Sequence, residues 1–138
     1  MRRSLHDVAA AAAVASVLSG GPSTVHAVVT GRGVLDAAKA AGTLVPGRRD
    51  RPGLVAGLVA HAGISAFWGV VLGATLPRRH TVAWGALAGA GIAAVSFPTV
   101  GNRRPAIAAL PKIPQYLDNV AFGAIVGWIL SDRDVAAT

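Results

Sequence analysis

The chain has 138 residues, 53% of them hydrophobic and only 14% charged, against about 25% charged in an ordinary soluble domain. That excess of apolar surface argues against a soluble single-core fold, and the absence of cysteine excludes disulfides, thiolate metal sites and a cysteine nucleophile. The net charge of +7 is carried in short clusters between apolar runs, Arg2-Arg3, Arg48-Arg49-Arg51, Arg78-Arg79 and Arg103-Arg104. This is how membrane-flanking charge is arranged, and it argues against nucleic acid as a partner.

Residues 1–29 start basic and then become apolar from Val8. Two readings compete. Arg2-Arg3, Val8 to Leu18 and Val25-His26-Ala27 loosely fit a cleaved secretory signal, but Asp7 beside the apolar run fits it poorly. The favoured expectation is a retained membrane helix over 8–29, bent at Gly20-Gly21-Pro22. Proline removes a backbone donor and clashes with the preceding turn. Ser23 and Thr24 are then expected to bond carbonyls freed by the bend.

Residues 31–53 suggest a short helix, Val34 to Ala41, too short to span and expected at the interface. Gly42 and Pro46-Gly47 end it. Leu54 to Leu76 follows, 23 residues with no Asp, Glu, Lys or Arg. As a helix it is roughly 34 Å long, enough for a hydrocarbon core of about 30 Å. It is expected to be the central packing helix. Small or polar residues recur along it every fourth position: Gly57, His61, Ser65, Gly69 and Gly73. Neighbouring members of such a row share a face, which suits close helix crossing.

Pro77 to His80 is a tight turn, so the next helix, 81–97, is expected as an antiparallel neighbour. Gly85 and Gly89 give it the same four-residue spacing, and Trp84 suits the interface. Four prolines break residues 98–118. Ala106 to Leu110 is compatible with one surface turn, and Tyr116 with an interfacial anchor. The fourth apolar segment, Asn119 to Leu130, reaches spanning length only when extended to 113–130, which draws Gln115, Asp118 and Asn119 toward the bilayer. Gly123 and Gly127 repeat the spacing, and Ser131 to Asp134 is expected to end the helix in water.

The expected architecture is all-α: one integral membrane domain over residues 1–138, a bundle of four transmembrane helices with the first kinked and followed by a short interfacial helix. Loops on the N-terminal side carry five basic residues and the opposite side eight. The positive-inside rule and Arg2-Arg3 point opposite ways, which leaves orientation open.

Chemistry is sparse. His61, about eight residues into the second span, needs a polar partner or water. Asp118 and Asn119, or Ser23 and Thr24, are the expected suppliers. With Ser65 they form a candidate intramembrane polar cluster. One reading is a proton- or ligand-binding site; the other is hydrogen bonding that fixes helix register. At the interface, Asp118 would simply cap the last helix. Gly57, Gly69, Gly73, Gly85, Gly89, Gly123 and Gly127 are assigned to helix packing. No metal pattern, cofactor motif or nucleophile-base set is readable, and no catalytic residue is assigned.

Three stretches, Gly21-Pro22-Ser23-Thr24, His61 to Gly69 and Leu117 to Gly123, resemble small four-helix inner-membrane proteins of the YagU-like kind, in an actinobacterial form. The resemblance implies motif positions for His61, Ser65, Asp118 and Gly123. At Asn119 the family usually has histidine, so a proton step relying on that residue would be lost here. The resemblance carries no established biochemical activity. The leading expectation is therefore a non-enzymatic structural or accessory protein of the cell membrane, multi-pass and in a bacterial inner membrane, with the lipid bilayer and a second copy or another membrane protein as partners. The alternative is a small transporter or proton-linked channel using His61 and Asp118. An intramembrane enzyme acting on lipid ranks third.

Overall fold

The computed structural model describes residues 3–136, with side chains to Arg133; Arg2 lies outside the described residues. Among the described residues the fold is all helical: α1 (Leu5–Leu18), α2 (Gly21–Thr30), α3 (Asp36–Ala41), α4 (Leu54–Thr75), α5 (Thr81–Thr99), α6 (Pro105–Ala108) and α7 (Lys112–Ala136). Short 3-10 turns occupy Gly42–Leu44 and Gly101–Arg103. Three segments are long and apolar enough to cross a membrane: Leu5–Thr30, Leu54–Thr75 and Thr81–Arg103. The chain is thus a multi-pass membrane protein by the length and composition of its helices. α7 has 25 residues, about 37 Å of helix, but is more polar than the other three.

The local signals explain most boundaries. Ser4 caps α1 by accepting from the Asp7 amide at 3.0 Å, so this helix starts three residues before the expected Val8. The bend at Gly20-Gly21-Pro22 is a full break, with Ser19 and Gly20 between two separate helices. Pro22 sits in the first turn of α2, where its missing N–H costs nothing. α2 ends at Gly31, whose φ of 67° is the left-handed cap that glycine adopts without strain. α5 runs through Pro98 to Thr99, two residues beyond the expected end. The α7 helix continues past Ser131 to Ala136, rather than ending there as expected. Tyr116 stacks on Phe97 with ring centroids 5.0 Å apart, joining the start of α7 to the end of α5.

The packing differs from expectation in two respects. First, Leu54–Thr75 is not the central helix. Only 17% of its apolar window is buried inside the protein, and Val55, Leu58, Val59, Phe67 and Val70 face outward. The hub is α7, which packs against α5 on one side and α1 and α2 on the other. Second, α5 does not lie along α4 despite the tight turn between them. It lies along α7, and α1 separates α4 from most of α7. The core follows this order: Val8, Ala11 and Ala15 of α1 pack with Leu72 and Leu76 on one side and with Phe122, Val126 and Leu130 of α7 on the other.

The seven glycines assigned to packing fall into two groups. On α4, a Cβ at Gly69 would collide with the Ala12 methyl, and one at Gly73 with Val8, both on α1. Gly57 instead meets the Ala38 carbonyl of α3, so the short helix is seated on the start of α4. On α5 and α7 the contact is backbone on backbone. Gly85 faces the Gly123 carbonyl, Gly89 faces the Asn119 carbonyl, and Gly127 faces the Thr81 carbonyl. At these four positions no side chain fits between the helices, which is the geometry small-xxx-small spacing permits.

A polar clasp closes the end where α1 begins and α7 ends. Arg133 of α7 pairs with Asp7 of α1, and the Ser4 hydroxyl donates to the same carboxylate at 2.6 Å. Arg3 donates to the Leu76 carbonyl at 2.9 Å. The carbonyl ends of α4 and the first turn of α1 are thereby joined at one face.

Candidate functional site at the break in the first helix

A helix that stops and restarts within a membrane segment leaves carbonyls at its end and amides at its restart without helical partners. In hydrocarbon each must be satisfied from elsewhere in the protein. The break between α1 and α2 shows where these groups go. The Ser19 amide still closes on the Ala15 carbonyl at 2.9 Å. The next carbonyl, that of Ser16, is met by His61 Nε2 of α4 at 2.8 Å. Since a carbonyl only accepts, that nitrogen must carry the proton in this bond.

At the restart, Gly20 has no side chain with which to cap α2. Asp118 of α7 serves instead. The Ser23 amide donates to Asp118 Oδ1 at 2.9 Å, and the Ser23 hydroxyl donates to Oδ2. Asp118 thus takes the place of a side-chain cap at the start of α2. Gln115 completes the group, its Nε2 donating to the Ser23 hydroxyl oxygen at 2.8 Å. Gln115 and Asp118 are three residues apart and therefore share one face of α7.

The candidate residues thus divide. Ser23 and Asp118 are brought together directly. His61 joins the same break from the other side, but its partner is the Ser16 carbonyl, not the side chains expected for it. His61 and Asp118 are not hydrogen-bonded to each other. Thr24 bonds back to the Gly20 carbonyl at 2.8 Å, whereas Ser23, expected to do the same, turns to Asp118. Asn119 folds onto its own helix, donating to the Gln115 carbonyl at 2.9 Å, and its backbone carbonyl lies against Gly89. Ser65 is buried on α4, one turn beyond His61. Ser16 and Gln115 were not among the candidates. Ser16 contributes a backbone carbonyl, for which no sequence signal exists. Gln115 was detectable as a second polar residue one turn before Asp118.

A cavity of about 40 Å³ lies between the C-terminal half of α2, α3 and the start of α7. Ser23, His26, Arg32, Asp36 and Gln115 are its polar lining. That volume suits a water molecule or two, with polar groups to hold them. Among the described residues, no three His, Cys, Asp or Glu side chains gather where they would hold a metal ion.

No family model matches this chain, and neither a curated protein nor a solved structure matches it.

Proposed function

We propose that this protein is a non-enzymatic, multi-pass component of the cell membrane, crossing the bilayer four times with α7 as the fourth crossing. Its role is structural or accessory, in association with a second copy or another membrane protein. One observation carries this reading: Ser23, Gln115, Asp118 and His61 are all engaged in holding the break of the first helix against α4 and α7. Such bonding fixes the register of three helices without requiring any ligand. The core position of Val8, Ala11 and Ala15 supports a retained first helix. The resemblance to YagU-like inner-membrane proteins supports the same topology and a bacterial inner membrane.

A transporter or proton-linked channel is the second reading. It is favoured by the cavity that reaches Ser23, whose hydroxyl and amide meet a carboxylate at a broken helix. Broken helices in transporters place ion and substrate sites in this manner. An enzyme acting on lipid is less well supported, because the cavity beside the Ser23 hydroxyl, of about 40 Å³, accommodates water rather than a headgroup.

A proton-flux assay in liposomes separates the first two readings. The native protein, His61→Ala and Asp118→Asn are each reconstituted and given the same pH gradient. The structural reading predicts equal, background-level flux in all three. Flux above background in the native protein that is lost in Asp118→Asn would replace it with the transport reading.

A further inference from the structure

The two ends of the bundle differ in charge. The three membrane-length segments bring residues 31–53 and 104–111 to one end, and the start of α1 with the turn at 77–80 to the other. At the first of these ends α6 lies against α3. That end holds eight of the 13 basic residues and two aspartates, Asp36 and Asp50. Among the described residues, none of the eight forms an ion pair. Six of them, Arg32, Lys39, Arg49, Arg51, Arg103 and Lys112, are exposed. At the opposite end Arg133 is paired with Asp7. Arg3 is turned onto the last carbonyls of α4, the negative end of that helix.

The α3 end is also a fixed surface with apolar residues among its charges. α3 is seated on the start of α4, where the Gly53 amide donates to the Lys39 carbonyl at 2.9 Å. The Ala38 carbonyl closes over Gly57, and Ala40 is buried. Leu35 and Lys39, one turn apart on α3, are both exposed. Val34 and Leu35 are each 48% exposed, and Ile113, beside Lys112 at the start of α7, is 76% exposed. Water alone solvates these apolar side chains poorly. A headgroup layer accommodates both kinds, with acyl chains below for Leu35 and Ile113 and phosphates above for the cations.

We propose that this end of the bundle is a basic plate lying on the anionic headgroups of the cytoplasmic leaflet, with the start of α1 on the external side. The match is one of charge. A cytoplasmic leaflet carries a negative surface potential that attracts Lys and Arg near the surface, and cytoplasmic loops of multi-pass proteins carry the excess of both. With Arg3 and Arg133 engaged inside the fold, the excess of free cations at the α3 end is larger than a count of basic residues indicates. Nucleic acid or an acidic peptide would meet the cations but leave Val34, Leu35 and Ile113 uncovered. Only the membrane placement of the first three segments is needed, since residues 31–53 and 104–111 share a side whether or not α7 crosses.

Two measurements test this on the full-length protein. In the first, Leu35→Cys carries a nitrobenzoxadiazole label in nanodiscs of equal parts phosphatidylglycerol and phosphatidylcholine, one lipid at a time bearing a doxyl quencher. Doxyl-phosphatidylglycerol should quench at least about two-fold more than doxyl-phosphatidylcholine, because several cations near the surface enrich anionic lipid. The preference should fall to parity in 1 M salt, where the Debye length is about 3 Å, and in the combined variant Lys39→Gln, Arg49→Gln, Arg51→Gln and Lys112→Gln. The same label at Arg79→Cys should show a smaller preference. In the second, an impermeant maleimide should label Arg49→Cys and Arg103→Cys only after spheroplasts are permeabilised, and Arg79→Cys before. Equal quenching by the two lipids in low salt, an unchanged preference in the folded combined variant, or labelling of Arg49→Cys in intact spheroplasts would each overturn the proposal. Loss of the preference on adding a micromolar oligonucleotide would overturn it in favour of nucleic acid. Circular dichroism establishes folding; should the combined variant unfold, the salt series and the sidedness carry the test. Failure here leaves the flux result and the helix count untouched.

Discussion

At the scale of single residues, the break in the first helix converts a local backbone problem into a contact between three helices. The Ser23 amide and hydroxyl meet one carboxylate on α7, while His61 meets a carbonyl at the end of α1. Interhelical hydrogen bonds in membrane proteins average about 0.6 kcal/mol and reach about 1.7 kcal/mol. Asp118→Asn keeps the shape but weakens a charged acceptor, and Ser23→Ala removes the hydroxyl donor. Each is expected to cost about 1–2 kcal/mol, measured by steric trapping or reversible unfolding in detergent. Because both substitutions remove the same contact, the double variant should cost clearly less than their sum. Strict additivity would mean that the pair is not coupled. His61→Ala should cost about 1 kcal/mol by leaving the Ser16 carbonyl unpaired.

These residues were unevenly legible. A carboxylate and a histidine within apolar runs are conspicuous, since their burial in lipid requires partners. Ser23 and Asp118 were both expected as partners of His61; that they pair with each other instead is not readable from their spacing. His61 was assigned a side-chain partner because side chains are what a sequence displays. Its actual partner is a carbonyl exposed only because Gly20 and Pro22 end the helix, which spacing does not reveal.

Helices show the same contrast between spacing and partner choice. The four-residue glycine rows were readable, but their partners were not. Gly57 resembles Gly69 in sequence, yet one meets α3 and the other α1. The expectation that α4 is central failed for a physical reason. In a bilayer no hydrophobic force draws apolar helices together, because lipid is as apolar as leucine. The most apolar helix is therefore suited to face lipid, and α4 does. The helix with Gln115, Asp118 and Asn119 is the one enclosed by neighbours. The tight turn after α4 likewise fixed direction but not contact, since α5 finds in α7 a glycine row matching its own.

That match gives a sharp prediction. Gly123→Ala and Gly85→Ala each drive a methyl into the facing backbone, which cannot yield as a side chain would. Each is expected to destabilise by about 1–3 kcal/mol. Gly91→Ala has open space around it and should be neutral or stabilise by up to about 1 kcal/mol. Gly69→Leu should disrupt the seat of α1 on α4. Thermal unfolding of the four variants in one detergent checks the order. Equal midpoints for Gly91→Ala and Gly123→Ala would remove the argument for backbone contact between α5 and α7.

For the whole molecule, the central claim is that the hub helix α7 is itself a crossing. Its length suffices, and Gln115, Asp118 and Asn119 are half-buried against α2 and α5, so a lower apolar content does not exclude it from the bilayer. Four crossings bring His6, Arg79 and Asp132 to one side and Arg49 and Arg103 to the other; three would separate His6 from Asp132. The chain has no cysteine, and all five positions are exposed, so single cysteines introduced at them report sidedness without background. Labelling of sealed, oriented vesicles with a membrane-impermeant maleimide should mark His6→Cys, Arg79→Cys and Asp132→Cys as one set, and Arg49→Cys and Arg103→Cys as the other. If His6→Cys and Asp132→Cys label from opposite sides, α7 does not cross and the four-helix account is contradicted.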